Sequence, residues 1–228
     1  MGDVEGRGGE GGDGVNFRVV TTEQRTDAWR QARVGQLTGT CAVDMLAKIK
    51  TGEAAARRDL RLRLVCERLT GRSQEDVFVS KDMQRGIDKE ADAFAAYEAL
   101  TGEIARTVGY LAHPELAAGC SPDGQIGNFT GIVEVKCPKS ATHLRYLRSR
   151  QAPSDYLPQV QHNLWITGAQ WCDFVTYDDR FPPTLRLAVF RIYRDEAAMK
   201  SYELLVRIFL GEVEKEYQEV AALAGVAA

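Results

Sequence analysis

The sequence lacks an excess of positive charge and a long apolar run, and each absence excludes a class of protein. Its 29 Lys and Arg residues against 32 Asp and Glu residues give a net charge of −3, which excludes binding of nucleic acid by bulk charge. No stretch approaches the roughly 18 apolar residues of a membrane span, and the N-terminus lacks the positive start of a signal peptide. We therefore expect a soluble, intracellular protein without a membrane partner.

Clustered cysteines and internal linkers are also missing. The five cysteines lie at least 17 residues apart, which argues against a disulfide framework or a local zinc site. Residues 1–14 hold seven glycines and four acids and are predicted to form a disordered acidic tail, because such a composition buries too little apolar area. No repeat or Pro/Gly-rich linker divides residues 15–228, which are predicted to form one domain.

The spacing of apolar residues predicts an α/β fold with a central mixed β-sheet flanked by helices. The first half of the sequence contains helical patterns that end at glycines, and the second half begins with short apolar runs typical of strands. The predicted helices run from Thr38 or Thr40 to Gly52, from about 54 to 69, from Ser80 to Gly102, over 141–149, from about Pro158 to Gly168 and from Asp195 onward. The predicted strands cover 104–111, 119–126, 131–136, 171–177 and 185–193.

Glu134 and Lys136 lie two residues apart on the predicted strand 131–136, so their side chains share one face. The preceding hairpin brings Asp123 beside them. The two carboxylates and the carbonyl of Val135 form an all-oxygen set suited to Mg²⁺ or Mn²⁺, and Lys136 could orient or deprotonate a water. The alternative is a solvated strand edge with a weak ion pair, although the apolar flanks make buried polar groups costly.

Five sequence blocks surround these residues, namely WRQARVG at 29–35, RG at 85–86 with Glu90, SPDG at 121–124, EVKCP at 134–138 and QVQ at 159–161. Together they resemble the PD-(D/E)XK nucleases, and more closely the lambda exonuclease (YqaJ-like phage recombinase) group. The blocks occur in that group's order across roughly residues 24–205. The resemblance implies a restriction-endonuclease-like core.

The resemblance also implies roles for individual residues. Asp123 and Glu134 would bind metal, Glu90 would supply a further carboxylate directly or through water, and Lys136 would lie beside the attacking water. Gln159 matches the group's active-site glutamine. Residues two apart on a helix lie about 200° apart, so Gln159 and Gln161 cannot both face the site.

Further positions match residues that contact DNA in this group. Arg33 and Thr40 would hold the 5′-terminal phosphate, which a guanidinium and a hydroxyl at a helix N-terminus both favour. Met83 would separate the duplex ends, and Lys50 and Gln161 are weaker candidates for DNA contacts. The histidines at 113 and 162 match no catalytic position and are expected to be structural.

The implied function is a Mg²⁺-dependent 5′-to-3′ exonuclease with two ions per site. It would degrade one strand of linear double-stranded DNA to 5′-mononucleotides and leave a 3′ overhang for a single-strand annealing protein. The resemblance also implies a homotrimeric ring that is encoded by a phage or prophage and acts in the cytoplasm of a bacterial host. To hold DNA, each subunit of such a ring would need only a basic inner face. Candidates for that face are Lys139, Arg145, Arg148 and Arg150.

Two other functions remain open from the residues alone. A PD-(D/E)XK endonuclease would use the same site without needing a DNA end. A catalytically silent module would bind DNA ends or a protein, although it would have no physical reason to keep costly polar groups together. The iron–sulfur nucleases of CRISPR adaptation need clustered cysteines, which this sequence does not have.

Overall fold

The computed structural model describes residues 17–75, 79–223 and 225. The predicted acidic tail, residues 1–14, lies outside this part of the chain. The strands are β1 (Arg18–Val20), β2 (Leu37–Thr38), β3 (Tyr110–Ala112), β4 (Ala118–Cys120), β5 (Gly124–Ile126), β6 (Gly131–Lys136), β7 (Trp171–Tyr177) and β8 (Leu187–Tyr193). The α-helices are α1 (Asp27–Ala32), α2 (Ala42–Met45), α3 (Ala55–Thr70), α4 (Lys81–Thr101), α5 (Ser140–Ser149), α6 (Leu157–Thr167) and α7 (Glu196–Leu223).

The strands form two mixed sheets rather than the one central sheet that the sequence predicted. The first has the order β1-β3-β4-β2 and the second the order β5-β6-β7-β8. In the first sheet β2 and β4 run parallel, and in the second β6 and β7 do, while the other neighbours are antiparallel. The α/β class is therefore confirmed. The prediction of a single central sheet is corrected, because the strands divide into two sheets.

The chain passes from one sheet to the other at residues 121–123. The sequence predicted one continuous strand over 119–126, but β4 ends at Cys120 and β5 begins at Gly124. Pro122 lies between them and cannot donate a hydrogen bond to a ladder. The resulting corner places Asp123 at the boundary between the two sheets.

Helix boundaries follow the predicted caps in most places. The Ser80 hydroxyl accepts a hydrogen bond from the Met83 amide at the start of α4, and Gly71, Gly102 and Gly168 end their helices with positive φ. The helix expected to reach Gly52 is shorter, with a 3₁₀ turn at Gly39–Cys41 followed by α2, which ends at Met45. The predicted strand 104–111 is reduced to β3, although Arg106 forms an isolated bridge with Gln125.

The second sheet is covered on both faces, which gives β6 two different environments. Val133 and Val135 pack in a cluster with Ala93 and Tyr97 of α4. Ile132 faces the other way, into the core that contains Leu164 of α6. Side chains alternate along a strand, so Glu134 and Lys136 share the face of Ile132 that is turned toward α6. Among the described residues, none of the helices combines the length and apolar character needed to cross a membrane.

Candidate active site

The carboxylate of Glu134 is the most deeply buried charged group of the candidate site. Its residue is 1% exposed, and its Oε1 accepts hydrogen bonds from Lys136 Nζ and Gln159 Nε2, both at 2.5 Å. Its Oε2 accepts a third hydrogen bond, 3.2 Å long, from Nδ2 of Asn163. A buried carboxylate is tolerated only with such partners, so α6 and the end of β6 together stabilise Glu134.

Asp123 is held against β6 by the backbone. Its Oδ2 accepts a 2.7 Å hydrogen bond from the amide of Val135. The adjacent Pro122 carbonyl accepts a 3.0 Å hydrogen bond from Gln24 Nε2. These contacts fix the corner between the sheets, so that Asp123 reaches the same end of β6 as Glu134.

The charges of the site shift the ionisation of its members. Burial, and next the negative charge of Glu134, raise the pKa of Asp123 above its ordinary value. Burial lowers the pKa of Lys136, but the carboxylates of Glu134 and Asp123 outweigh it, and the net pKa is raised. Lys136 Nζ donates a hydrogen bond to Glu134 Oε1. Of the two roles that the sequence left open for Lys136, orienting a water is the one that this donor geometry matches.

Two facing carboxylates, of which Asp123 has a raised pKa, form a set that a divalent cation would stabilise. The fit is incomplete in one respect. Within residues 17–75, 79–223 and 225, no three His, Cys, Asp or Glu side chains are close enough together to form a metal site. Glu90 of α4 forms an ion pair with Arg25 instead. It nevertheless lines a cavity of about 610 Å³ together with Asp123 and Arg25.

Arg33 and Thr40 share a second, smaller cavity with the carboxylates. This cavity of about 150 Å³ is lined by Arg33, Thr40, Asp123, Glu134 and Lys136, among others. A hydroxyl, a guanidinium and an ammonium group therefore face the same space as the two carboxylates. Such a space is suited to an anionic group that lies next to a cation.

The side chain of Arg33 is fixed by three neighbours. Its guanidinium stacks 3.8 Å from the centre of the Trp29 ring, and Trp29 Nε1 donates a 2.9 Å hydrogen bond to the Ser121 hydroxyl. Nη2 of Arg33 contacts Glu75 Oε1 at 3.0 Å and Thr38 Oγ1 at 3.5 Å. Arg33 is thereby pre-positioned at the cavity wall.

The remaining predicted residues, Met83, Lys50 and Gln161, do not line the 150 Å³ cavity. Met83, 56% exposed, lines a cavity of about 260 Å³ that also contains Lys136 and Glu90. Lys50 is exposed in the loop after α2. Gln161 Nε2 donates a 3.4 Å hydrogen bond to the carbonyl of Ala198 on α7. Gln159 is therefore the glutamine of the QVQ block that contacts Glu134.

The two histidines expected to be structural are held inside the protein. His162 lies between the Tyr202 hydroxyl and the Gly119 carbonyl, at 2.8 and 3.0 Å. His113 Nδ1 accepts hydrogen bonds from the amides of Glu115 and Leu116.

The residues of the site that were not predicted include Asn163, Glu75 and Tyr110. Asn163 lies one helical turn after Gln159, so helical spacing could have revealed it. Glu75 is 42 positions from Arg33, and no local pattern connects the two. Tyr110 lines the 150 Å³ cavity from β3, and its buried hydroxyl has no hydrogen-bond partner among the described residues.

A mixed α/β fold with two carboxylates and a lysine at the end of one strand has the arrangement of a PD-(D/E)XK nuclease. The match can be made more specific, because residues 28–170 match the YqaJ-like viral recombinase domain. The chain belongs to that family, and the resemblance found in the sequence is confirmed.

Solved structures agree with this assignment. An alkaline exonuclease from Laribacter hongkongensis aligns with a TM-score of 0.80 and 38% identity over 88% of this chain and 98% of that one. The same values hold for its complex with dAMP. A phage-related exonuclease from Haemophilus somnus 129PT shares the fold, with a TM-score of 0.61 and 12% identity over 81% of this chain and 96% of that one. A comparison with curated proteins gives no match. The family and the Laribacter enzyme support a nuclease.

Proposed function

We propose that this protein is a Mg²⁺-dependent 5′-to-3′ exonuclease that degrades one strand of linear duplex DNA to 5′-mononucleotides. One observation carries the proposal. Arg33 and Thr40 line the same 150 Å³ cavity as Asp123, Glu134 and Lys136. A terminal phosphate on Arg33 would therefore lie near the carboxylates, and cleavage would be limited to the end of a strand. A nucleotide monophosphate is the expected product, and the similar Laribacter enzyme has been solved with dAMP.

The residues present fit one Mg²⁺, or Mn²⁺ in its place, and the site for a second ion is incomplete while Glu90 is paired with Arg25. Asp123 and Glu134 with the Val135 carbonyl would bind one ion, and Glu90 would join a second after leaving Arg25. When bound, two such ions lower the pKa of water and stabilise the attacking and leaving oxygens of a phosphodiester.

The protein's own side chains would orient the substrate. Lys136 donates as an ammonium group and would direct a water or a phosphate oxygen toward the carboxylates. Gln159 limits the motion of Glu134 Oε1. The guanidinium of Arg33, which stacks on Trp29, would hold the terminal phosphate by a planar pair of N–H groups. Such a pair would fix the distance and the orientation of the phosphate relative to the guanidinium.

The proposal includes an assembly and a partner. The exposed arginines of α5 and its C-cap, Arg145, Arg148 and Arg150, with Lys139, would line the inner face of a homotrimeric ring around the duplex. The 3′ overhang would be passed to a single-strand annealing protein during phage-type recombination in the cytoplasm of a bacterial host.

The first test uses linear duplex DNA with a 5′ phosphate on one strand, beside closed circular DNA, each with and without Mg²⁺. We expect loss of the phosphorylated strand alone, only with Mg²⁺, and an intact circle. Cutting of the circle would instead indicate an endonuclease. End binding without cleavage would indicate the silent module.

A second test addresses the site residues. Lys136→Ala and Asp123→Ala should each abolish cleavage, because the first removes the ammonium donor and the second a metal-facing carboxylate, while binding of DNA ends is retained. The matched control is Lys200→Ala, which removes an exposed lysine on α7. Turnover at the wild-type rate in either site variant would contradict the assignment.

A further inference from the structure

Two amide side chains on successive turns of α6 bind the two oxygens of Glu134. Gln159 Nε2 donates to Oε1 at 2.5 Å and Asn163 Nδ2 donates to Oε2 at 3.2 Å. Residues four apart on a helix project from the same face. The glutamine is part of the QVQ block, whereas the asparagine belongs to none of the blocks that carry the family resemblance.

The environment of Asn163 leaves little freedom for its side chain. The residue is 1% exposed, as is Glu134, so their hydrogen bond is made away from water. A carboxylate oxygen only accepts hydrogen bonds, and the NH₂ of an asparagine only donates them. Asn163 therefore satisfies Oε2 without adding a charge next to Asp123.

Gly39 leaves little space beside the Asn163 side chain. A Cβ atom placed on Gly39 would lie 2.4 Å from Oδ1 of Asn163 and 3.4 Å from Cγ of Gln159. The 3₁₀ turn Gly39–Cys41 therefore approaches α6 closely because residue 39 has no side chain. The turn that carries Thr40 therefore lies close to the amide that donates to Glu134.

We propose that Asn163 is a positioning residue that fixes the carboxylate plane of Glu134 for metal binding. The inference rests on the proposed metal-dependent function. With Oε2 fixed by Asn163 and Oε1 shared by Lys136 and Gln159, the carboxylate presents one orientation to a cation. Partners that orient a ligand in this way typically change metal affinity by about 10- to 100-fold when they are removed.

The test measures Mn²⁺ binding by calorimetry and by electron paramagnetic resonance in the full chain. Asn163→Leu keeps the side-chain size and removes the donor. We expect about a tenfold or greater loss of Mn²⁺ affinity, and an equal rise in the Mg²⁺ concentration for half-maximal cleavage. The rate at saturating Mg²⁺ should fall less than the metal affinity, because Asn163 is proposed to act through its hydrogen bond to Glu134.

Two further variants separate positioning from stability. Thr167→Val removes the buried 2.7 Å hydrogen bond from Thr167 Oγ1 to the Asn163 carbonyl but leaves the Glu134 contact, so it should keep wild-type metal affinity. Gly39→Ala displaces the amide of Asn163 without removing it and should weaken Mn²⁺ binding in the same direction as Asn163→Leu. Gly39→Ala therefore tests the same positioning role if Asn163→Leu does not fold.

The outcomes distinguish this inference from the proposed function. If wild-type protein binds Mn²⁺ and cleaves DNA while Asn163→Leu and Gly39→Ala keep its metal affinity, the positioning role is overturned and the nuclease proposal stands. If Thr167→Val loses as much metal affinity as Asn163→Leu, the role is merely structural. If the wild-type protein neither binds Mn²⁺ nor cleaves DNA, both proposals fail.

Discussion

The guanidinium of Arg33 lies on the indole of Trp29 and is 9% exposed as a side chain. Stacking and a planar donor pair are properties of arginine that lysine does not share. Arg33→Ala and Arg33→Lys should therefore both remove the preference for a 5′-phosphorylated end over a 5′-hydroxyl end. The ratio of initial rates on the two duplexes measures this. Arg30, a half-buried arginine of α1 that pairs with Asp27, provides the control, and Arg30→Ala should keep the ratio.

Two results would contradict this role of Arg33. Equal wild-type rates on phosphorylated and hydroxyl ends would exclude a phosphate pocket. A preserved preference in Arg33→Lys would show that charge alone is sufficient, without stacking or a bidentate contact.

His162 makes folding stability depend on pH. Burial lowers its pKa to about 4 from an ordinary 6.5, so the folded protein holds it neutral where the unfolded chain binds a proton. Stability must then fall as the pH drops from 6.5 toward 4, by about 3 kcal/mol when complete. Urea unfolding of wild type and His162→Gln at pH 7 and pH 4.5 measures this. Between the two pH values, the free energy of unfolding should fall by about 2 to 3 kcal/mol less in His162→Gln than in the wild type. An identical fall in both proteins would contradict this role of His162.

At the scale of elements, the sequence was most informative where a local signal determines the structure. Gly102 ends α4 with φ of 75°, and Ser80 begins it, because capping depends on neighbouring residues alone. The short strands β1 and β2 have no such signal. Each is defined by pairing with a distant strand, as Val19 pairs with Leu111, and local patterns do not contain that information.

The same distinction explains which site residues could be predicted. Asp123, Glu134 and Lys136 lie within one hairpin, so strand periodicity brings them together. The Glu75 partner of Arg33 depends on tertiary packing. Asn163 was within reach of helical spacing, but an asparagine on a mostly apolar helix has many structural roles, so the pattern alone does not select it.

The register of β6 and β7 depends on the glycine that begins β6. Gly131 pairs with Trp171, and a Cβ there would lie 2.3 Å from the indole. The ring cannot move freely, because Arg191 stacks 3.6 Å from its centre. Gly131→Ala should lower the free energy of unfolding by about 1 to 3 kcal/mol.

Gly211 provides the matched control for this substitution. It lies within α7, and an added Cβ meets no described atom within 4 Å. Gly211→Ala should therefore raise stability by about 0.5 to 1 kcal/mol. Denaturant unfolding of both variants gives the comparison, and equal effects of the two substitutions would contradict the packing argument.

At the scale of the whole molecule, charge limits how DNA can be retained. The N-terminal 14 residues carry −3, so the remaining residues are neutral overall. A neutral monomer would hold a duplex weakly, and its affinity would fall further with salt as counterion release loses its driving force. If such a chain digests DNA processively, enclosure would have to retain the duplex in place of attraction, which agrees with the homotrimeric ring that the family resemblance implies.

Enclosure and attraction predict different effects of salt. Raising NaCl from about 50 to about 200 mM should slow loading onto DNA ends by tenfold or more, because loading depends on encounter with a basic inner face. Once the duplex is enclosed, dissociation requires opening of the ring, so the number of nucleotides released per loading event should change less than about twofold. A trap of unlabelled DNA ends measures both quantities, and light scattering of the same sample should give the mass of three chains. A monomeric mass with processive digestion, or processivity that falls in parallel with loading, would contradict the ring.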